Sequence, residues 1–73
     1  MIAYRNLGGS SGIVRYELSS NSISVEFKNG SKYQYNYSSA GRDNIEKMKV
    51  LAERGQGLGA FIDKSKPQYV KKW

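Results

Sequence analysis

The chain has 73 residues, enough for one small domain, and carries 12 Lys and Arg against 6 Asp and Glu, a net charge of +6. It contains no cysteine and no histidine, which excludes disulfides, thiolate or imidazole catalysis and the usual zinc sites. The start, MIAYRNLGG, lacks the pattern of a signal peptide and no segment is apolar over the width of a bilayer, so we expect a cytoplasmic protein.

Three β-strands are predicted in the first half of the chain. Residues 1–12 end in a Gly- and Ser-rich stretch, which indicates a flexible segment. In IVRYEL (13–18), alternation places Ile13 with Arg15 on one face and Tyr16 with Leu18 on the other. The stretch SISVEFK (22–28) alternates most clearly, and KYQYNY (32–37) follows it after an Asn29-Gly30 turn.

The turn at Asn29-Gly30 permits two registers for the second hairpin. A two-residue loop places the tyrosines on one face of the hairpin and Ile23 and Val25 on the other. Both faces then mix apolar and polar residues. A three-residue loop closed by Gly30 in the left-handed conformation places Val25 opposite Tyr33. Apolar residues then lie on one face of the hairpin and polar residues on the other. Because register is strongly specified when one face is buried, the second register is favoured. It places three tyrosines mainly in the core: Tyr33, Tyr35 and Tyr37.

The second half of the chain changes to a helical period. Between residues 41 and 54, apolar residues recur at spacings of three and four, namely Ile45, Met48, Leu51 and Ala52. Gly55 suits the left-handed end of this helix, and AFIDK (60–64) is predicted to form one short helical turn. The fold class is therefore α+β, a three-stranded antiparallel meander packed on one face by an α-helix, with a core at 13–62 and a basic tail at 63–73.

Three segments together resemble the KTSC domain. FKNGSKYQYNY has the pattern F-x-N-G-x-x-Y-x-Y, SISVEF precedes it as an alternating strand, and LAERGQGLGAFI matches the helix end, Gly-containing loop and final apolar pair. This short domain is named from the C-terminus of some lysyl-tRNA synthetases and also occurs alone in bacterial and phage proteins. The resemblance covers residues 10–62. It implies the β-β-β-α core and suggests RNA binding.

No catalytic set is predicted. Glu17 and Glu26 lie on adjacent strands, but basic neighbours make them solvated ion pairs, and nothing resembles a nucleophile with its base. GQGLG (55–59) follows a helix, whereas a phosphate loop follows a strand, so this segment is interpreted as a helix cap. We expect a non-enzymatic binding module without a metal or cofactor.

The net charge favours a polyanionic partner, and the first expectation is RNA or single-stranded nucleic acid. Lysines and arginines would contact phosphates, and aromatic rings would stack on bases. The candidate residues are Arg42, Lys47, Lys49 and Arg54 on the outer helix surface, Lys64, Lys66, Tyr69, Lys71, Lys72 and Trp73 in the tail, and Tyr35 on the third strand.

The alternative is a protein-interaction or inhibitor module of bacterial or phage type. A free edge at IVRYEL or at the third strand would pair with a partner or with a second copy of the chain. The basic surface would equally complement an acidic protein, because positive charge alone does not distinguish the two classes of partner.

Overall fold

A computed structural model describes residues 1–7 and 12–73. Over these residues the chain forms one antiparallel sheet in the order β1-β2-β3-β4-β5, with three helices between β4 and β5. The strands are β1 (Ile2–Ala3), β2 (Ile13–Leu18), β3 (Ser22–Phe27), β4 (Lys32–Asn36) and β5 (Lys71–Lys72). The helices are α1 (Tyr37–Ala40), α2 (Arg42–Arg54) and α3 (Leu58–Ser65). The α+β class is confirmed.

The hairpin between β3 and β4 has the predicted three-residue register. Val25 lies opposite Tyr33, and the turn is closed by a hydrogen bond of 2.9 Å from the Gly30 amide to the Phe27 carbonyl. Gly30 has a φ of 88°, in the left-handed region that glycine enters without a steric cost. Apolar side chains therefore collect on the face that packs under the helices, and Tyr35 is buried there.

The prediction of three strands was wrong, because two further strands of two residues each extend the sheet. β1 pairs with β2, and the Tyr4 that follows it is buried in the core. β5 pairs with the outer side of β4. A two-residue strand shows no periodicity in the sequence, so only the pairing reveals it. The predicted flexible segment thus contributes β1 over its described part, and its residues 8–11 lie outside the described residues.

A register shift in β2 corrects the predicted placement of Ile13. Ile13 lies opposite Phe27, whereas Arg15 lies opposite Glu26, so one extra residue stands between the two pairs. Such a β-bulge reverses the alternation on one side of the shift. As a result, Ile13 joins Tyr16 in the core, with 3% and 7% of their surfaces exposed.

Helix α2 matches the predicted amphipathic helix. Ile45, Met48, Leu51 and Ala52 are its buried residues, and Gly55 ends it in the left-handed conformation. Its N-cap is Gly41, which offers no side-chain hydrogen bond. Asn36 caps the preceding α1 instead, because its side chain accepts a 2.8 Å hydrogen bond from the Ser39 amide.

Helix α3 is longer than the predicted turn at 60–64. It begins at Leu58, which is fully buried. The Leu58 amide donates a 3.2 Å hydrogen bond to the Tyr4 hydroxyl. The N-terminal segment therefore satisfies one of the free amides at the start of α3. Within the described part of the chain, no helix has the length and apolarity needed to cross a membrane.

Candidate nucleic-acid interface

Strand β5 fixes the end of the basic tail along β4. The amides of Lys32 and Trp73 each donate to the carbonyl of the other residue at 2.9 Å. Lys71 lies opposite Gln34, and Lys72 lies opposite Tyr33. Successive residues of a strand face opposite sides of the sheet, so Lys71 and Trp73 project to one side and Lys72 to the other. The tail is thus an ordered edge of the sheet rather than a free basic terminus.

The tail places ammonium groups beside aromatic rings. The Nζ atom of Lys71 is 5.1 Å from the centroid of the Trp73 ring, and the Nζ atom of Lys72 is 5.3 Å from that of Tyr33. Tyr69 packs edge-on against Tyr33 at 5.0 Å. Trp73 and Tyr69 keep about half of their surface exposed, at 48% and 50%. Charge and stacking surface therefore occur together along this edge, which we call the β5 edge.

Tyr35 does not offer a ring face for stacking, which corrects its place among the candidates. Only 3% of its surface is exposed, and its ring lies nearly parallel to that of Tyr33 with centroids 6.4 Å apart. Burial, aided by the neighbouring phenols of Tyr33 and Tyr69, raises the pKa of Tyr35 to about 12. Tyr33, which the sequence assigned to the core, packs against it but is only partly buried, and its ring lies beside Lys72.

The basic residues of α2 lie among acids. Arg42, Lys47 and Arg54 are exposed, as predicted for the outer helix surface. Between Arg42 and Arg54, however, the sequence carries four basic and three acidic residues. The acids share the exposed side of the helix, so its net field is weak. No acid lies between Lys64 and Trp73, which makes the tail the stronger attraction for an anion.

Lys49 is held in a local cluster that fastens α2 to the turn between β2 and β3. Its Nζ atom donates to the Ser20 carbonyl at 2.8 Å and lies 3.2 Å from a carboxylate oxygen of Glu46. The Tyr37 hydroxyl donates to the same carboxylate at 2.7 Å. These two hydrogen bonds, that from Tyr37 first, lower the pKa of Glu46. Lys49 therefore has a structural partner and is a weaker candidate for a phosphate contact.

Lys64 and Lys66 lie at the end of α3. Lys66 has a φ of 45° and its amide donates to the Ile62 carbonyl at 2.8 Å. Its side chain lines a cleft next to the turn between β3 and β4, together with Lys28. No sequence pattern indicates Lys28 as a candidate, because only the fold brings the hairpin turn beside α3. Lys64 is exposed on the same helix but does not line the cleft.

Of the two acidic residues of the sheet, Glu26 has the expected basic neighbours, because it lies opposite Lys32 of β4 and Arg15 of β2. Glu26 pairs with Arg15 at 3.5 Å, and Glu17 lies opposite Ser24 rather than beside Glu26. Across the described ranges, 1–7 and 12–73, no group of acidic side chains is arranged to hold a metal ion.

The chain matches no family model, no curated protein and no solved structure with which it was compared.

Proposed function

We propose that the protein binds single-stranded nucleic acid along the β5 edge, with RNA as the first candidate. The observation that supports this proposal is the pairing of Lys71 with Trp73 and of Lys72 with Tyr33 in a segment without acids. Proteins that bind single strands combine such cations with rings on which bases stack. The resemblance of the sequence to the KTSC domain favours RNA over DNA.

In this proposal the lysines contact phosphates and the rings contact bases. Lys71 and Lys72 follow the sheet edge, and Lys64 and Lys66 extend the positive surface from the end of α3. Trp73 and Tyr69 are the rings with the most exposed surface. A base stacked on such a ring contributes about 1–3 kcal/mol, whereas the lysine contacts are screened by salt. The exposed lysine and arginine side chains of α2 contribute only to long-range attraction.

The test is a fluorescence-anisotropy titration of a short labelled oligouridylate over a series of salt concentrations. The variant Lys71→Gln/Lys72→Gln removes two charges from the β5 edge, and the control Arg42→Gln/Lys47→Gln removes two from α2. Each lost phosphate contact lowers the salt slope by about 0.7 for a single strand. We therefore expect a drop of about 1.4 for the tail variant and a smaller change for the control. Equal effects of the two variants would show that the attraction is generic.

The variant Trp73→Ala distinguishes the contribution of base stacking to the affinity from the contribution of the lysine charges. We expect the affinity to fall by about 1–3 kcal/mol while the salt slope stays the same, because a ring contact releases no counterions. Val50→Ala is a suitable control, since Val50 is an exposed apolar residue on α2, with 55% of its surface accessible. An unchanged affinity for Trp73→Ala would argue against base stacking on this ring.

A protein partner remains the second proposal, and the structure shifts where it would bind. The edges suggested by the sequence, β2 and β4, each pair with a further strand, so the outer edges are β1 and β5. Each is two residues long, and short outer strands are a common protection against strand pairing. Sedimentation at rising protein concentration tests the homodimer, which would appear as a concentration-dependent mass.

A further inference from the structure

The cleft beside the β3–β4 turn has the composition of a small-ligand site. It has a volume of about 550 Å³, within the range of roughly 300–1,000 Å³ typical of ligand pockets. Aromatic, aliphatic and polar residues together line it. The apolar residues are Phe27, Tyr33, Tyr35 and Ile62, and the polar ones include Lys28, Asn29, Ser31, Asp63 and Lys66.

The Tyr35 hydroxyl is available to a ligand. Among the described residues its oxygen has no hydrogen-bond partner, and no fully buried side-chain oxygen there is left without one. The oxygen therefore keeps some accessible surface, although only 3% of the surface of Tyr35 is exposed. Since Tyr35 lines the cleft, we assign that accessible surface to the cleft. A phenol can both donate and accept a hydrogen bond, which suits the edge of a nucleobase.

The residues that line the cleft carry more positive than negative charge. Two of them are lysines, Lys28 and Lys66, and the one carboxylate among the described lining residues is that of Asp63. Lys72 does not line the cleft, but its Nζ atom lies 5.3 Å from the ring centroid of Tyr33, which does. This excess complements an anionic group attached to an aromatic one.

Lys66 is also held in an uncommon backbone conformation. Its φ of 45° lies in the left-handed region, which costs a residue with a Cβ roughly 1–2 kcal/mol relative to glycine. Helices often end in glycine at such a position. A strained backbone at a residue that lines a cleft is a feature of ligand-contact sites, and Lys66 lines this cleft.

We infer that this cleft binds one nucleotide, with the base against the aromatic side chains that line it and the phosphate at Lys28 and Lys66. The inference rests on the proposed function, because Tyr33 belongs both to the cleft and to the β5 edge and so links the two surfaces. The nucleotide is either one unit of a bound strand or a free nucleoside monophosphate. These two sources share the same chemistry and are separated by the test.

The experiment is an amide-resolved NMR titration of the full chain with three probes. The probes are adenosine 5′-monophosphate, adenosine without a phosphate, and ribose 5-phosphate without a base. We expect saturable shifts at the amides of Asn29, Ser31 and Ile62 with the monophosphate, weaker binding of adenosine, and no saturable shifts there with ribose 5-phosphate. If ribose 5-phosphate acts as well as the monophosphate, the cleft is only a site for simple anions and the inference is overturned.

Two variants, Lys66→Gly and Tyr35→Phe, each remove one assigned contact and are expected to leave the domain folded. Lys66→Gly removes the ammonium and suits the left-handed backbone, so the domain is expected to remain folded. It should weaken the binding of adenosine 5′-monophosphate about tenfold, as expected for the loss of a hydrogen bond to a charged group. Lys64→Gln is the matched control, with the same loss of charge two residues earlier, in the last turn of α3 and outside the cleft, and should leave binding within about twofold. Equal effects of Lys66→Gly and Lys64→Gln contradict the phosphate contact at Lys66.

Tyr35→Phe tests the base contact, because it keeps the ring and removes only the hydroxyl. We expect weaker binding of the monophosphate and of adenosine alike, by about two- to tenfold. A loss confined to the monophosphate would contradict a hydrogen bond from this hydroxyl to the base.

An oligouridylate and a matched strand without bases distinguish the two sources of the nucleotide. A strand that inserts a base should shift the same three amides, whereas the strand without bases should leave the amides of Asn29, Ser31 and Ile62 unshifted. If the oligonucleotide shifts the β5 edge but neither it nor the monophosphate shifts the cleft, the inference fails and the proposed function stands. If the monophosphate binds the cleft while no oligonucleotide binds, the site is one for free nucleotides and the proposed function fails.

Discussion

Gly55 is the position where a single methyl group should test the packing of the N-terminal segment. Gly55 follows α2 with φ and ψ of 79° and 22°. A Cβ atom built on it would lie 2.6 Å from the Cβ atom of Arg5, much closer than two carbon atoms pack. The Leu7 amide donates to the Gly55 carbonyl at 2.7 Å, so the chain on both sides of this contact is fixed. Gly55→Ala therefore requires residues 5–7 to move.

The expected cost has two parts. Alanine in the left-handed conformation costs roughly 1–2 kcal/mol, and the overlap with Arg5 adds about 1–3 kcal/mol, as in an overpacked core. Gly57→Ala is the matched control, because Gly57 has a φ of 88° but its added Cβ would meet only Leu51, at an ordinary 3.5 Å. We expect about 2–5 kcal/mol for Gly55→Ala and about 1–2 kcal/mol for Gly57→Ala.

Urea denaturation followed by circular dichroism measures both variants. A domain of this size has a free energy of unfolding of about 4–11 kcal/mol, so the difference between the variants is well within range. Combining Gly55→Ala with Arg5→Gly should remove the overlap and restore most of the excess loss, as a double-mutant cycle reports. Equal losses for Gly55→Ala and Gly57→Ala would refute the close approach of the N-terminal segment to the end of α2.

Three further substitutions test single contacts. Tyr4→Phe leaves the buried Leu58 amide without its acceptor and should cost about 1–3 kcal/mol in the same urea assay, whereas no loss would mean that the amide finds another partner. Tyr37→Phe removes the first cause of the low pKa of Glu46, so that pKa should rise in a carboxyl NMR titration; an unchanged value would contradict the hydrogen bond. The folded-state pKa of Tyr35, about 12, lies above its ordinary value of about 10, so the unfolded phenol ionises first. Stability should therefore fall as the pH rises past about 10, and this part of the fall should be absent in Tyr35→Phe.

The β3–β4 hairpin and α2 could be predicted because their information is local. In the hairpin, the choice between two registers followed from one requirement, that apolar and polar side chains occupy separate faces. In α2, the spacing of four apolar residues and a glycine at the end defined both the buried side and the last turn. The buried position of Tyr35 follows from the same register, although the list of binding candidates did not take it into account.

The candidate site was predictable only in part, because charge in the sequence does not show what each charge contacts. The excess of lysine in the tail is visible in the sequence, whereas the placement of Lys72 beside Tyr33 depends on the pairing of β5 with β4. Lys49 looks the same in the sequence as any exposed lysine, yet it is held by Ser20 and Glu46. Lys28 meets Lys66 at the cleft only because α3 ends beside the hairpin turn.

The sequence by itself determined the α+β class, the hairpin register, the buried side of α2 and the basic, acid-free tail. These features depend on residues close together in the chain, through alternation, helical spacing and turn chemistry. Only the tertiary structure decided the two short outer strands, the bulge that turns Ile13 inward, the Tyr4 hydroxyl that meets the start of α3, and the cleft. Each of these depends on groups far apart in sequence, whose meeting is set by the packing of the whole core and leaves no local pattern.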